Sequence, residues 1–301
     1  MASPAVALAP APEQSANETT RVIGDAAALV EEQADRVKAA GAAERKRRAR
    51  RWTGAIVRIL SLVTFLSIWE FGGGMLDQSL FATPSRVAVA AVGMIASGEL
   101  WQFLAPSLLV MLYGFSIATV VGILLGLLLA RYWVLDTATG FYITFLYSTP
   151  MVALIPLIVI WAGYDDAAKT VVLFLFAFFP IVINTYQGVK NVSPDLVEVG
   201  RAFRCSEGAL WRHVVLPAAL PFVVTGLRLA LGRGLIGMVT ADLYMAISGI
   251  GYLIVRTAST YQMDKMFVPI VTLGLLGLVL NWLLRLVEIW VAPWTRTGTR
   301  D

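Results

Sequence analysis

One cysteine, Cys205, and one histidine, His213, are the whole supply of the side chains most used for metal binding and nucleophilic chemistry. A lone cysteine excludes an internal disulfide and a cysteine-rich metal site, and a lone histidine argues against a histidine-built one. No Ser/His/Asp set, paired-carboxylate site or Cys/His cluster stands out along the chain. The phosphate-cradling pattern G-x-x-x-x-G-K-[ST] is absent, so ATP is not expected to be bound and hydrolysed by that route. Cys205 and His213 read as surface or packing residues, and no catalytic residue, cofactor or metal is expected. What remains are charges set among apolar residues, Arg228 and Arg233 above all, and a polar stretch from Ser193 to Pro217.

The elements that carry these residues follow from composition. Of 301 residues 58% are hydrophobic and 15% are charged, with a mean hydropathy of +0.73. A soluble domain carries about 25% charged residues, so the deficit points to a helical bundle in a membrane. A helix needs about 20 apolar residues to cross a bilayer. Six stretches qualify: 54–75, 107–130, 140–162, 167–187, 217–239 and 267–291. The expected fold is therefore all-α, a polytopic bundle of six transmembrane helices. The net charge of +4 does not point to nucleic acid, because many of the basic residues lie beside apolar spans and act as topology signals. The run from Arg45 to Arg51 precedes the first span, Arg131 follows the second, Lys190, Arg201, Arg204 and Arg212 follow the fourth, and Arg296 and Arg300 follow the sixth. Both termini are thus expected in the cytoplasm. Trp52, Trp101, Trp133, Trp161, Trp290 and Trp294 fall near span ends, where interfacial aromatics belong.

Residues 1–52 form a basic cytoplasmic tail, 53–294 the transmembrane domain and 295–301 a short cytoplasmic end. The tail reads as a solvated segment or as an amphipathic helix on the membrane surface. No basic segment precedes an apolar stretch at the N-terminus, so no cleavable signal peptide is expected. Between the first two spans, Thr83 can cap a short helix with Pro84 at its first position, lying along the outer surface.

Arg228 and Arg233 fall inside the fifth span. A cation near mid-membrane costs roughly 3 kcal/mol or more. Either the two line a pathway favourable to anions, or they pair with acidic groups or carbonyls or snorkel to the interface. Glu70 and Asp242 fit the outer interface. Gly122 and Gly126, and Gly274 and Gly277, allow close helix approach, within the bundle or between copies. Pro150, Pro156 and Pro180 interrupt the third and fourth spans, as kinks of structure or of a gated pathway.

The stretch from Ser193 to Pro217 joins the fourth and fifth spans. Leu196, Val199 and Phe203 make one helical stripe and Leu210 and Val214 a second, with Ser206 placed to start the second helix. Two short amphipathic helices must bury their apolar faces on their own bundle or in a partner's groove. The stretch is similar to the cytoplasmic signature of ABC importer permeases, EAA-x3-G-x9-I-x-LP. Glu198 stands at E, Val199 and Gly200 at the two A positions, Val214 at I, and Leu216 and Pro217 at LP. Arg204 takes the place of the glycine, which would permit a positive φ between the helices; the turn is therefore expected to differ locally or the coupling to be altered. Val199 is bulkier than the alanine it replaces.

The resemblance extends over roughly Ser61 to Pro293. The stretches Phe81 to Ser85, Ser148 to Pro156, Gly226 to Ala230 and Gly249 to Ile254 look like those of the nitrate, sulfonate and taurine importers. It implies a type I ABC importer permease, a non-catalytic translocation subunit in the cell inner membrane. Its implied partners are an ATPase subunit dimer, an external substrate-binding protein and a second permease copy, in contact with membrane lipid. The segment 193–216 would be the coupling loop, with Glu198, Val199, Gly200, Phe203, Arg204, Val214, Leu216 and Pro217 serving ATPase docking. The alternative is a secondary transporter driven by an ion gradient, but no internal repeat is evident and acidic residues are scarce within the spans. A membrane enzyme is disfavoured by the lack of a polar catalytic cluster.

Overall fold

The computed structural model describes residues 50, 52–77, 80–245 and 247–291. The expected tails, 1–52 and 295–301, lie outside the described residues but for Arg50 and Trp52, and so does Trp294. Two units are distinguished, Met1–Ile68 and Trp69–Asp301. The described part of the first is most of helix α1 (Trp52–Gly74), 23 residues that are long and apolar enough to cross a membrane.

The second unit contains the end of α1 and the helices α2 (Pro84–Ala96), α3 (Glu99–Arg131), α4 (Trp133–Ser148), α5 (Met151–Ala162), α6 (Asp166–Lys190), α7 (Pro194–Ala202), α8 (Glu207–Leu210), α9 (Leu216–Met245), α10 (Ile250–Ser259) and α11 (Met263–Val291). No strand occurs among the described residues. Helices prevail because lipid offers no partners for backbone N–H and C=O groups, which a helix satisfies internally. Among the described residues five helices are long and apolar enough to span, or six if α4 and α5 form one bent span.

At the centre of the unit α6 lies between α3 and α9, and small residues set the distance. On α3, Gly114, Ala118, Gly122 and Gly126 recur every four residues and all are buried. A Cβ at Gly114 would stand 2.8 Å from Leu173, one at Gly122 2.9 Å from Ile181, and one at Gly126 2.7 Å from Thr185. From the other side, a Cβ at Gly226 or Gly237 of α9 would meet Asn184 or Phe176 of α6 within 2.9 Å. Gly122 and Gly126 thus serve close packing within the bundle. Gly274 has nothing within 4 Å of where its Cβ would be, so its role does not lie in this contact.

Three expectations are corrected. The third span is two helices, bent by 101° between α4 and α5. Pro150 has no N–H to continue the ladder and holds the preceding residue extended; Thr149 sits at φ −73°, ψ 134°. Pro156 and Pro180, by contrast, lie inside α5 and α6 without ending them. Next, the second short helix of the 193–217 stretch is not separate: α8 runs through a π-helical turn, Trp211–Val215, directly into α9, giving a 39-residue helix. Finally, α2 is present but Thr83 does not cap it through its side chain. Glu70 at the end of α1 does so, accepting from Ser85 N at 3.0 Å and Ser85 Oγ at 2.6 Å.

Candidate functional site

The turn between α7 and α8 is held by backbone hydrogen bonds. Arg204 N–H donates to Arg201 O at 2.8 Å and Cys205 N–H to Gly200 O at 3.2 Å. This paired closure is a Schellman motif, which needs a left-handed residue after the helix end. Arg204 is that residue, at φ +51°. The turn therefore keeps the conformation that a glycine would favour, and the expectation of a locally different turn is overturned. An L-residue meets steric cost of about 1–2 kcal/mol in this region, and two hydrogen bonds with the packing beneath outweigh it. Ser206 then caps α8, accepting from Ala209 N at 3.3 Å.

The packing beneath is Gly200. It is buried, and a Cβ there would lie 2.5 Å from Leu210 Cδ1 and 3.8 Å from Val214 Cγ2. Gly200 lets α7 rest on α8, Val214 closes that contact from behind, and Leu216 and Pro217 are half-buried where α9 begins. The other side of α7 is left open: Leu196 is 50%, Val199 54% and Phe203 80% exposed. Glu198 and Arg204 are exposed beside them, and neither has an ion-pair partner among the described residues. The sequence-derived docking residues thus divide into an outward set, Glu198, Val199, Phe203 and Arg204, and an inward set, Gly200, Val214, Leu216 and Pro217. Cys205 is exposed. The guanidinium of Arg131, at the end of α3, lies 4.9 Å above the Trp211 ring.

Arg228 and Arg233 part company. Arg228 is paired with Glu288 of α11, the structural outcome. Arg233 lies over the Tyr147 ring at 4.4 Å, with no carboxylate partner among the described residues. It lines a cavity of about 260 Å³ at the α4–α5 break, together with Tyr147, Thr149, Pro150 and Phe176. Tyr147 also lines a cavity of about 460 Å³ between α4 and α6, with Asp136, Thr144, Tyr186 and Gln187. Both cavities border α4, a helix with no buried residue, and they share Tyr147. In the larger one Tyr186 donates to Asp136 at 2.8 Å and Lys190 stands 3.6 Å from the same carboxylate.

Sequence reasoning missed a buried polar cluster. Asp242 is 1% exposed and Lys169 is 2% exposed. Lys169 Nζ is 3.0 Å from Asp242 Oδ1 and donates to Ser248 O and Ser248 Oγ, both at 2.8 Å. Ser107 Oγ donates to Asp242 Oδ2 at 2.6 Å and accepts from Ile250 N at 2.8 Å. The cluster ties α3, α6 and α9 to the turn before α10. Two glycines close over the carboxylate: a Cβ at Gly249 (φ +98°) would lie 2.3 Å from Asp242 Oδ2, and one at Gly251 2.5 Å from Asp242 Cβ. The signal was available in Gly249 to Ile254, whose glycines are spaced for wrapping a side chain, but nothing in the sequence named that side chain.

A bundle of apolar helices with small-residue packing and an outward amphipathic helix fits a membrane protein that docks a partner. Residues 118–293 match the family model described as binding-protein-dependent transport system inner membrane component, and the chain belongs to that family, as an ABC importer permease subunit. It is 31% identical over 258 residues to a putative aliphatic sulfonates transport permease protein of Bacillus subtilis, covering 84% of this chain and 92% of that one. It is 36% identical over 236 residues to the protein of the same description from Escherichia coli, covering 76% and 88%. A bicarbonate transport system permease protein of Synechococcus elongatus is 30% identical over 251 residues, covering 79% and 90%. Among solved structures, an inward-facing form of the MetNI methionine ABC transporter matches with a TM-score of 0.50 at 20% identity, covering 64% of this chain and 95% of that chain; this likeness is one of fold.

Proposed function

We propose that two copies of this chain form the pathway of an ATP-driven importer for a small anion of the sulfonate or bicarbonate kind, delivered by an external binding protein. The observation that carries the reading is the open face of α7. Leu196, Val199 and Phe203 are exposed on a helix too polar elsewhere to enter lipid, and the Schellman turn and the Gly200 contact hold that face in place. A rigid amphipathic helix with an unburied apolar stripe suits a groove on a partner, and an ATPase subunit is the partner this family implies. ATP hydrolysis then belongs to that subunit, and this chain transmits its motion through α8 into α9 without a break in the helix.

The orientation follows the basic residues: Arg131, Lys190, Arg201, Arg204 and Arg212 gather at the docking-turn end, which is cytoplasmic by the positive-inside bias. Both termini, with the tails 1–52 and 295–301 flanking the permease domain 53–294, lie on that side. Anion preference is supported by Arg233, a cation lining the cavity at the α4–α5 break without a carboxylate partner among the described residues, and by the names of the relatives. Most selectivity rests with the binding protein.

The test is co-purification with the ATPase subunit and uptake in vesicles. Glu198→Lys and Phe203→Asp are expected to weaken ATPase association and abolish uptake while leaving the bundle folded. Normal transport with intact association in both variants would sink the assignment of α7 as the docking helix.

A further inference from the structure

A guanidinium carries five N–H donors, and those of Arg233 have no hydrogen-bond or ion-pair partner among the described residues. Its guanidinium lies 4.4 Å from the centroid of the Tyr147 ring and borders the cavity of about 260 Å³ at the α4–α5 break. The depth of that cavity follows from α6, whose Phe176 and Phe179 also line it. Phe176 stands 10 residues after Asp166 and 14 before Lys190, roughly 15 and 21 Å along the axis at 1.5 Å per residue. Gly237, one turn after Arg233, packs on the same Phe176. A bilayer core is about 30 Å thick, so Arg233 stands near its middle, too deep to snorkel to the interface.

A cation at that depth faces a water-filled cavity or a counter-charge. The described helices have no counter-charge to give. Asp242 is paired with Lys169 and Glu288 with Arg228, and Glu70 is engaged with Ser85. The other carboxylates on α2 to α11 lie in the first turn of a helix or on α7 and α8. A second copy laid against this face would therefore bring no free carboxylate to mid-span from these helices. The negative charge that matches Arg233 has to come from a solute. The start of α5 adds to the positive field, because Thr149, Pro150 and Met151 border the same cavity and the first N–H groups of a helix carry positive partial charge. Broken spans with a helix N-terminus near an anionic solute are a recurrent arrangement in transporters.

We propose that Arg233, seated against Tyr147, is a subsite within the pathway that holds the oxyanion head of the transported solute through two N–H···O bonds. A guanidinium stacked on a ring keeps its edge for a ligand that offers two oxygens. The cavity is smaller than the roughly 300–1,000 Å³ of a pocket that encloses a drug-sized ligand. It takes a sulfonate, carboxylate or bicarbonate head and leaves any larger remainder of the solute outside. That the anion is the cargo rests on the importer reading above; the oxyanion chemistry of the site does not.

The test uses the purified full chain in phosphatidylcholine nanodiscs, with methanesulfonate as the probe and dimethyl sulfone as its uncharged counterpart. Binding is read by saturation transfer from the protein to the methyl protons in NMR, and folding by thermal melting. Methanesulfonate is expected to bind and dimethyl sulfone is not. Arg233→Gln should weaken binding at least about tenfold, the loss of a charge-assisted hydrogen bond. Arg233→Lys should keep part of it, since it retains the charge without the fork. Both variants should melt close to wild type, because the arginine has no polar partner in the bundle. Equal binding in wild type and Arg233→Gln overturns the subsite, as does equal binding of dimethyl sulfone. Displacement of methanesulfonate by an equal concentration of chloride also overturns it, because the site then reads charge and not a pair of oxygens. So does a large fall in the melting temperature of Arg233→Gln, which would assign the residue to the packing of the bundle. A wild-type chain that supports uptake and ATPase association but binds no methanesulfonate removes the subsite and leaves the importer reading. Binding without uptake does the reverse.

Discussion

The two ends of α9 obey opposite rules. Near Asp242 the two buried charges are paired inside one chain, within a cluster that draws in α3, α6 and the α10 turn. Near Leu216 the neighbouring α7 keeps its charged and apolar residues exposed. A buried ion pair is a poor source of net stability, because desolvation offsets most of the attraction, but it fixes geometry firmly once formed. The comparison suggests a rod anchored at one end and left free to receive force at the other. An unbroken helix from Glu207 to Met245 joins them.

The anchored end offers the largest effect. Lys169→Met alone, or Asp242→Asn alone, leaves a buried charged partner without compensation, and such breaks cost about 3–5 kcal/mol. Either variant is expected to melt well below wild type in detergent. The double variant Lys169→Met/Asp242→Asn should recover a large part of the loss. Single variants as stable as wild type would mean that the cluster does not anchor α9. Gly249→Ala acts on the same end, since its Cβ would fall on the carboxylate at a backbone conformation that disfavours side chains. It should destabilise by less than the charge variants but in the same assay.

At the free end the expected losses are in binding rather than stability. Phe203→Asp removes the most exposed apolar residue of the α7 stripe. A central aromatic anchor contributes about 2 kcal/mol or more to an interface, so ATPase co-purification should fall about thirtyfold or more with an unchanged melting temperature. Gly200→Leu separates the two ends more finely. It overpacks the contact with Leu210, at a cost of about 1–3 kcal/mol confined to α7 and α8. Displaced α7 should lose ATPase association while the buried cluster, read by the melting of the whole bundle, is little affected. Loss of both together would mean that the ends are not independent.

These contrasts were unevenly legible in the sequence. The apolar spans could be read because a bilayer imposes length and hydropathy on each helix separately. The α4–α5 break was legible only as an interruption at Pro150, because a proline is compatible with a kink as well as an end. Lys169 and Asp242 each look like a polar residue near a span end. Their burial is a property of the pair, and of a Ser107 contact separated by 135 positions, which no local pattern encodes. The docking helix was legible because its requirements are local: a stripe, a cap and a small residue. Its closing turn was less legible, because residue type argued against a left-handed Arg204 while the local backbone bonds to Arg201 O and Gly200 O that require it depend on how the helix ends, not on which residue follows it.

Arg204 also supplies the smallest and sharpest prediction. If the residue is kept only by the turn, Arg204→Gly relieves the left-handed strain of about 1–2 kcal/mol, less the entropy of about 0.4–1 kcal/mol that a glycine adds to the unfolded chain. The net gain should lie between about 0 and about 1.6 kcal/mol, with ATPase association unchanged. If the guanidinium instead reaches a partner, Arg204→Gly weakens association although the turn is more relaxed. Arg204→Asn then decides between backbone and charge, since Asn tolerates the left-handed region without carrying the charge. Weak association in both variants assigns Arg204 to the outward face with Val199 and Phe203. Normal association in both leaves it a strained turn residue that the packing of Gly200 on Leu210 holds in place.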